Sequence, residues 1–425
     1  MLALYGLGSM LGAGIYGLVG RAAGVLGGAV WAAFVMAMVG ALLTGLTYAS
    51  LGARYPRAGG AAYIVHRAFG RPALSYVVGL SVVASGLTSM ATGSRIVGEN
   101  VRSLFGLEAV PALAIALVYL ALLAVLVWRG LRESLWFNAI CTVIEAGGLV
   151  LVIIFGARFW GTQDLLELPV DVGWASTGLL VMQGSVLTFF AFMGFEDTLN
   201  VAEEVKDPAR TVPRGLILAM GGATVLYLLI SVTAVSVVPW RELAGAPAPL
   251  GVVMARAAPW MPAAVYTVIT IFAVANTALI NFVMGSRLVF GMARQKLLPG
   301  PLARVHPVRH TPHYAVIAMY VVAAIIVSLG DIAQLAAATV LLLLSVFVLM
   351  NVSDLVLARR PSEPTSPIPL PALVPIGGAL VCGTLLVVRG ATGDVVAPLV
   401  AAGLLTAILV LYAVTRPRAP GVPEA

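Results

Sequence analysis

The sequence predicts an all-α integral membrane protein with about twelve transmembrane helices, and three features support this fold class. The composition is 60% hydrophobic and 10% charged, whereas soluble globular domains are about half apolar and about a quarter charged. Apolar stretches of roughly 20 residues, the length that crosses a bilayer core, recur along the chain. Most of the 25 basic residues fall in alternate connections between these stretches. A lipid bilayer is therefore the predicted solvent for this chain.

The apolar stretches predict where the helices cross the membrane. A chain with an even number of crossings has both ends on the same side. The connections rich in Arg are predicted to be cytoplasmic, because basic residues are retained on that side, so both termini are expected in the cytoplasm beneath the cell membrane. The longest connections, 239–262 and 292–312, are predicted to be loops. The twelve predicted spans are 2–23, 29–52, 73–98, 110–128, 136–158, 177–201, 214–238, 263–291, 313–329, 334–357, 371–388 and 395–414.

The start of the first span is short. Seven residues precede Gly8, and they form roughly 11 Å of helix at a rise of about 1.5 Å per residue. A half-helix of this length barely reaches the membrane surface. We therefore expect the native protein to begin upstream of Met1.

Composition and spacing argue against several functional classes. The net charge of +7 suggests nucleic-acid binding, but the basic residues are spread over short connections without a basic face. Cys141 and Cys382 lie inside apolar runs, and the four histidines lack metal-binding spacing. We therefore predict no nucleic-acid partner, catalytic residue, metal or cofactor, and no obligate protein partner is evident.

Two spans carry residues that interrupt a helix. The first contains "GSMLGAGIYG", Gly8–Gly17, and glycine is a poor helix former. The sixth contains "FFAFMGFEDTLNVAEE", in which Gly194 precedes the adjacent carboxylates Glu196 and Asp197. Breaks five spans apart lie in helices that cross in opposite directions, as in transporters built from inverted repeats. Free N–H groups at one break and free carbonyls at the other would suit a zwitterion.

Other interpretations of these segments remain open. The glycines of the first span could form a helix-packing face of the GxxxG type. Glu196 and Asp197 could instead pair near the edge of the membrane. The correspondence in position between the two breaks favours the binding-site interpretation.

Several motifs resemble those of a known family. The segment "GSMLGAGIY" resembles the first-span signature of the amino acid–polyamine–organocation (APC) transporters. The segment "FFAFMGFEDTLNVAEEVKDPARTVPRG" is very similar to the cationic amino acid transporter-like branch. Further matches are "YPRAGGAAYIVHRAFG" and "MARQKLLPGPLARVHPVRHTP". Together these motifs cover spans one to nine in register.

The resemblance implies a LeuT-like fold with a five-plus-five inverted repeat, discontinuous first and sixth helices, and alternating access. The first repeat would occupy residues 1–158 and the second 177–357. Two accessory helices would occupy 371–414, and 415–425 would be a cytoplasmic tail. The function implied is secondary active transport of amino acids.

The resemblance also implies where the substrate binds. Its carboxylate would meet N–H groups around Gly12, Ala13 and Gly14, next to Ile15. Its ammonium would meet carbonyls near Met10 and Leu11 and around Phe190 and Ala191. The residues expected to shape a side-chain pocket and gate are Phe190, Phe192 and Met193, followed by Gly194.

Ion coupling is expected to depend on buried polar groups. Glu145 stands in the fifth span where several proton-coupled relatives carry a lysine, and it could itself carry the proton; a structural carboxyl is the alternative. Glu196, Asp197 and Asn276 are the other candidates. A proton is the favoured driving ion, and Na⁺ remains open. Asn281 and Ser286, also in the eighth span, are interpreted as polar contacts between helices.

The loop after the sixth span predicts a cytoplasmic gate. Pro208 and Pro213 end helices, and charged side chains can pair across the short turn. The predicted gate residues are Glu203, Glu204, Lys206 and Arg210.

The sequence leaves the substrate and the transport mode open. A neutral or broad range of amino acids is favoured, with cationic substrates as the alternative. Exchange rather than proton symport is a second possibility, and a transporter-like nutrient sensor is a third.

Overall fold

The computed structural model describes residues 2–57, 60–169, 174–200, 202, 205–246, 248–329, 332–392 and 395–415. These residues are helical or irregular, without a strand among them. The α-helices of this part of the chain are α1 (Leu2–Met10), α2 (Ala13–Leu26), α3 (Val30–Arg54), α4 (Gly60–Phe69), α5 (Pro72–Leu104), α6 (Ala112–Arg129), α7 (Leu131–Gly156), α8 (Trp174–Phe192), α9 (Asp197–Asn200), α10 (Pro208–Val237), α11 (Trp240–Gly245), α12 (Pro249–Ala257), α13 (Ala263–Arg294), α14 (His313–Leu329), α15 (Ile332–Ala358), α16 (Leu373–Thr392) and α17 (Val396–Thr415).

The prediction of a multi-pass helical membrane protein is confirmed. Within the described residues, 10 helical stretches are long and apolar enough to cross a bilayer. One of them, Leu2–Arg54, has 53 residues and contains α1, α2 and α3. A shorter apolar helix covers His313–Ser328.

The first helix is interrupted inside the glycine-rich segment. Helix α1 ends at Met10 and α2 begins at Ala13, so Leu11 and Gly12 lie between two helical segments. Gly12 has extended backbone angles, with φ 168° and ψ −137°. The regular ladder of hydrogen bonds stops here because an extended residue cannot continue it.

The second interruption follows α8. Gly194 has φ +119°, a conformation open to glycine but strained for other residues. The Glu196 carboxylate accepts a hydrogen bond from the Gly194 N–H at 2.8 Å. This bond gives the backbone a local alternative to the helix. The chain becomes helical again at Asp197, where α9 begins.

The centre of the bundle is formed by long helices that are covered by other helices on most sides. Helix α5 packs along both α13 and α15, and α3 packs along both α8 and α10. In an apolar stretch of 18 residues within α5, 83% of the residues are buried, whereas in Pro398–Thr415, within α17, only 11% are buried. Helix α5 is thus central, whereas α17 presents its apolar surface to the surroundings.

The prediction of a loop over 239–262 is wrong in part, because α11 and α12 occupy much of that connection. Helix α12 has a proline at its first turn and buries Leu250, Val253, Met254 and Ala257. That spacing is the apolar stripe of an amphipathic helix. Another short helix, α4, lies in the connection after α3.

Candidate functional site at the two helix breaks

The two helix breaks meet at a cavity inside the bundle. Its volume is about 30 Å³, enough for about one or two water molecules. An amino acid would require the cavity to widen. The lining residues are Ser9, Met10 and Gly14 from the first break, Phe190, Met193, Gly194, Glu196 and Asp197 from the second, and Ser85, Ser89, Thr277, Asn281, Thr339 and Leu343 from α5, α13 and α15.

Glycines allow the two breaks to touch. A Cβ atom added to Gly14 would collide with the backbone of Ala191. A Cβ atom added to Gly194 would lie 2.6 Å from the backbone of Ser9. Gly14 therefore allows the start of α2 to pack closely against the end of α8, where the two breaks meet.

A tyrosine hydroxyl connects the carbonyls of the two breaks. The Tyr227 hydroxyl, on α10, lies 2.6 Å from the Met10 carbonyl oxygen and 2.8 Å from the Ala191 carbonyl oxygen, and it can donate to either. Each carbonyl oxygen has two lone pairs. Both therefore keep one acceptor position for a further donor.

The start of α2 supplies hydrogen-bond donors. The first N–H groups of any helix lack intrahelical partners and carry the positive end of the helix dipole. Gly12 occupies the N-cap position, and no side chain caps this end of α2. The N–H groups of the first turn of α2, which follows Gly12, can therefore bind an anionic group beside the Met10 and Ala191 carbonyls.

Asp197 places a carboxylate at the cavity. Its Oδ2 atom accepts a hydrogen bond of 2.5 Å from the Ser9 hydroxyl, which connects the end of α1 to α9. Its Oδ1 atom is buried without a hydrogen-bond partner. Glu196 is also buried but accepts from the Gly194 N–H. Asp197 therefore retains free acceptor capacity.

Glu145 and Asn276 form a second buried polar cluster against the first break. The Asn276 amide donates to Glu145 Oε1 at 2.8 Å and approaches the Gly8 carbonyl oxygen at 3.4 Å. Asn138 donates to the Asn276 amide oxygen at 2.8 Å. Glu145 is fully buried, and its Oε2 atom has no hydrogen-bond partner. The cluster connects α7 and α13 to α1.

Polar side chains of α5, α13 and α15 line the cavity opposite the two breaks, and only some of them are predicted from the sequence. The sequence predicts Asn281 as a polar residue of the eighth span, but it does not predict Ser85, Ser89 or Thr339 at the site. Asn281 donates to Ser89 at 3.3 Å, so it both joins α13 to α5 and lines the cavity. The signal for α5 was the spacing of Ser85 and Ser89, which lie four residues apart and so share one helix face.

Some predicted site residues lie away from the cavity in this structure. Phe192 packs against Tyr227, with ring centres 5.0 Å apart, and is absent from the described lining. Leu11 and Ile15 are fully buried in the apolar core. In this conformation these three side chains therefore pack in the apolar core and do not line the cavity.

The predicted gate is described only in part. Arg210 lies 3.9 Å from Asp207, and both side chains are exposed. The Lys206 carbonyl accepts from the Thr211 hydroxyl at 2.9 Å. Glu203 and Glu204 lie outside the described residues. Over the described ranges, no group of three or more potential metal ligands is found.

Comparison with known proteins identifies the family. The sequence profile described as "Amino acid permease" matches residues 2–414. The branched-chain amino acid permease BcaP of Bacillus subtilis is 27% identical over 84% of this chain and 80% of its own length. The vacuolar cationic amino acid transporter 4 of Arabidopsis thaliana is 29% identical over 85% of this chain and 63% of its own length. The methylthioribose transporter of B. subtilis is 27% identical over 90% of this chain and 85% of its own length.

The matched profile covers both helix breaks and all of the helices that line the cavity. These relatives are transporters by name, which places the chain among transporters rather than enzymes. The chain belongs to the amino acid permease family of the APC transporters.

Proposed function

We propose that this permease is a secondary active transporter that carries amino acids across the cell membrane by alternating access. The observation that carries the proposal is the meeting of two broken helices at one buried cavity. Irregular backbone is tolerated at membrane depth where it is buried in protein or lines a cavity. Family membership supports the substrate class.

Helix lengths support a chain that crosses the membrane twelve times. The stretch Leu2–Arg54 has 53 residues, which is roughly 80 Å of helix against a hydrocarbon core of about 30 Å. This length supports two crossings within Leu2–Arg54. Helix α14 has 17 residues, a length at the lower limit for a span.

Contacts between helices support the inverted repeat of residues 1–158 and 177–357, with 371–414 as accessory helices. Under a shift of five spans, α3 corresponds to α10 and α5 to α13. The contact of α3 with α8 then has its counterpart in the contact of α10 with α1. The contact of α7 with α13 has its counterpart in that of α15 with α5. In transporters built from inverted repeats the substrate binds at the interface between the repeats, which supports the cavity at the two breaks as the binding site.

The proposed binding mode uses backbone groups at both breaks. The substrate carboxylate binds the N–H groups of Ala13 and Gly14 at the start of α2. The ammonium group donates to the Met10 and Ala191 carbonyls, which also receive Tyr227. Phe190 and Met193 contact the substrate side chain.

We favour a neutral or broad substrate range. Phe190, Met193 and Leu343 supply apolar surface to the cavity, and BcaP is named for branched-chain amino acids. The alternative is a cationic substrate, which the carboxylate of Asp197 and the named specificity of the Arabidopsis relatives support.

A proton is the proposed driving ion, with Glu145 as its carrier and Na⁺ as the alternative. Glu145 is linked through Asn276 to the Gly8 carbonyl in the last turn of α1, so a change of its charge would be passed to the end of α1, next to the unwound residues. In the described chain, no salt bridge involves Glu145. Asp197, Glu196 and Asn276 are the other proposed coupling residues. Both termini, with the tail 415–425 and the gate of Glu203, Glu204, Lys206 and Arg210, are proposed to face the cytoplasm.

The test is uptake of a panel of radiolabelled amino acids into vesicles containing the purified protein. Uptake into empty vesicles that rises with an inward proton gradient is the expected result. Uptake restricted to vesicles preloaded with amino acid indicates an exchanger and makes Glu145 structural. Absence of uptake from a protein that an amino acid still stabilises indicates a sensor and contradicts the proposal.

A further inference from the structure

A second cavity lies at the end of the bundle that the charge bias predicts to be cytoplasmic. It has a volume of about 240 Å³, eight times that of the cavity at the breaks. It opens between the end of α6, the start of α7, helix α13 and the segment before α14. Its lining residues are Val127, Ser134, Val283, Ser286, Arg287, Arg309, His310, Thr311 and Pro312.

The lining of this cavity is basic. Arg287, Arg309 and His310 line it, and the described lining contains no carboxylate. A guanidinium group presents several N–H donors in a fork that matches phosphate oxygens. The three buried hydroxyl groups of Ser134, Ser286 and Thr311 donate to backbone carbonyls. The cavity therefore offers cationic donors around a polar floor.

The segment that carries the basic residues is held in a fixed shape. The His306 Nδ1 atom accepts from the N–H groups of Val308 and Arg309 at 3.3 and 3.2 Å. The backbone N–H of His306 donates to the Thr311 carbonyl at 2.9 Å. His310 has φ +54°, which is uncommon for a residue other than glycine. This geometry presents Arg309 and His310 together at the cavity.

Arg309 is also positioned by an aromatic ring. Its guanidinium lies 4.2 Å from the ring centre of Trp128, at the end of α6. The Thr311 hydroxyl donates to the Trp128 carbonyl at 3.0 Å, which ties the segment to α6. Tryptophan is enriched where a helix leaves the hydrocarbon core, at the depth of lipid headgroups.

We propose that this cavity binds a phosphate-bearing anion, and that its occupant is the headgroup of an anionic phospholipid. Basic pockets between membrane helices bind such headgroups. Helices α6 and α14 pack on each other beside the cavity. Their outward-facing sides expose apolar side chains that can contact the acyl chains. The side chains are Leu122, Val125, Ile317 and Val321. Free phosphate offers the same anionic oxygens as the lipid headgroup, but it has no acyl chains to contact this apolar surface.

The test measures retention of lipid by the purified full-length protein. Native mass spectrometry compares dioleoyl phosphatidylglycerol with dioleoyl phosphatidylcholine, and inorganic phosphate is added as a competitor. The variant is Arg309→Gln, at an exposed position where we expect the fold to tolerate the change. Arg304→Gln is the matched control, because Arg304 is exposed in the same segment but is outside the described lining.

The expected result is selective retention of phosphatidylglycerol by the wild type and by Arg304→Gln, weakened roughly five-fold in Arg309→Gln. Melting temperatures without lipid should be the same for all three proteins. If inorganic phosphate stabilises the protein only when Arg309 is present, and neither lipid is retained selectively, the anion site stands. The phospholipid is then overturned as its occupant. Equal retention of both lipids, with no dependence on Arg309, overturns the whole proposal.

Discussion

At the scale of single residues, Glu145 is the buried group that we propose as the carrier of the coupled proton. One of its carboxylate oxygens receives the Asn276 amide and the other has no hydrogen-bond partner. An isolated charge in the membrane interior is expensive and marks function more often than fold. Asn276 also contacts the Gly8 carbonyl, so a change in the charge of Glu145 can affect the hydrogen bonds at the end of α1.

Glu145→Gln tests this role. Glutamine keeps the shape and the acceptor for Asn276 but carries no titrating proton. We expect uptake to persist with its stimulation by external acid largely lost, whereas the control variant should keep the wild-type stimulation. The control is Glu108→Gln, at an exposed position outside the membrane core. An unchanged pH dependence would assign coupling to Asp197, Glu196 or another group.

At the scale of helices, Tyr227 joins α10 to both breaks. Tyr227→Phe removes the donor and leaves the Met10 and Ala191 carbonyls without it. We expect the free energy of unfolding without substrate to fall by about 1 kcal/mol, measured by thermal or denaturant melting. Tyr48→Phe is the matched control, because the Tyr48 hydroxyl is equally buried and has no hydrogen-bond partner. Equal effects in the two variants would show that the bridge adds no stability.

The connection between α15 and α16 is tied to the connection after α3. Glu363 accepts from Arg67 at 2.8 Å and from Tyr55 at 3.0 Å. Arg360 donates to the Arg67 and Ala68 carbonyls at 2.8 and 2.7 Å. Burial opposes ionisation of Glu363, but the hydrogen bonds from Arg67 and Tyr55 outweigh it and lower its pKa below the usual 4.5.

The lowered pKa of Glu363 fixes the sign of a pH effect. The ionised group stabilises the fold above about pH 4.5, and this contribution is lost as pH falls through the lowered pKa. Glu363→Gln should therefore reduce the melting temperature at neutral pH, and the difference from the wild type should disappear in acid. Glu242→Gln, which removes an exposed pair with Arg256, should change little at either pH. A difference that persists in acid would contradict the assignment.

At the scale of the whole molecule, much of the architecture can be predicted from the sequence. Long apolar stretches have to become helices because the bilayer offers no other hydrogen-bond partners. The interruptions at Gly12 and Gly194 lie inside segments marked by glycine and by adjacent carboxylates. These signals are local in the chain, so a single sequence contains them.

Contacts between distant segments could not be predicted in the same way. The bridge from Tyr227 to Met10 and Ala191 joins three helices, and nothing near Tyr227 in the sequence marks it. Ser85 and Ser89 become part of the cavity wall only because α5 packs along α13 and α15. The motif predicts Phe192 in the pocket, but the direction of its side chain depends on its packing against Tyr227 and Phe34. Tertiary packing decides each of these points.

We propose that the junction of the two breaks is the transport site, and one pair of variants tests this most directly. Gly14→Ala adds a Cβ atom that collides with the Ala191 backbone, whereas Gly17→Ala, in the same helix, meets nothing within 4 Å. The measurement is uptake of a radiolabelled amino acid into vesicles, with gel filtration and circular dichroism to verify folding. We expect wild-type uptake by Gly17→Ala, and uptake by Gly14→Ala no higher than that of vesicles without protein. Normal uptake by a folded Gly14→Ala protein would contradict the claim.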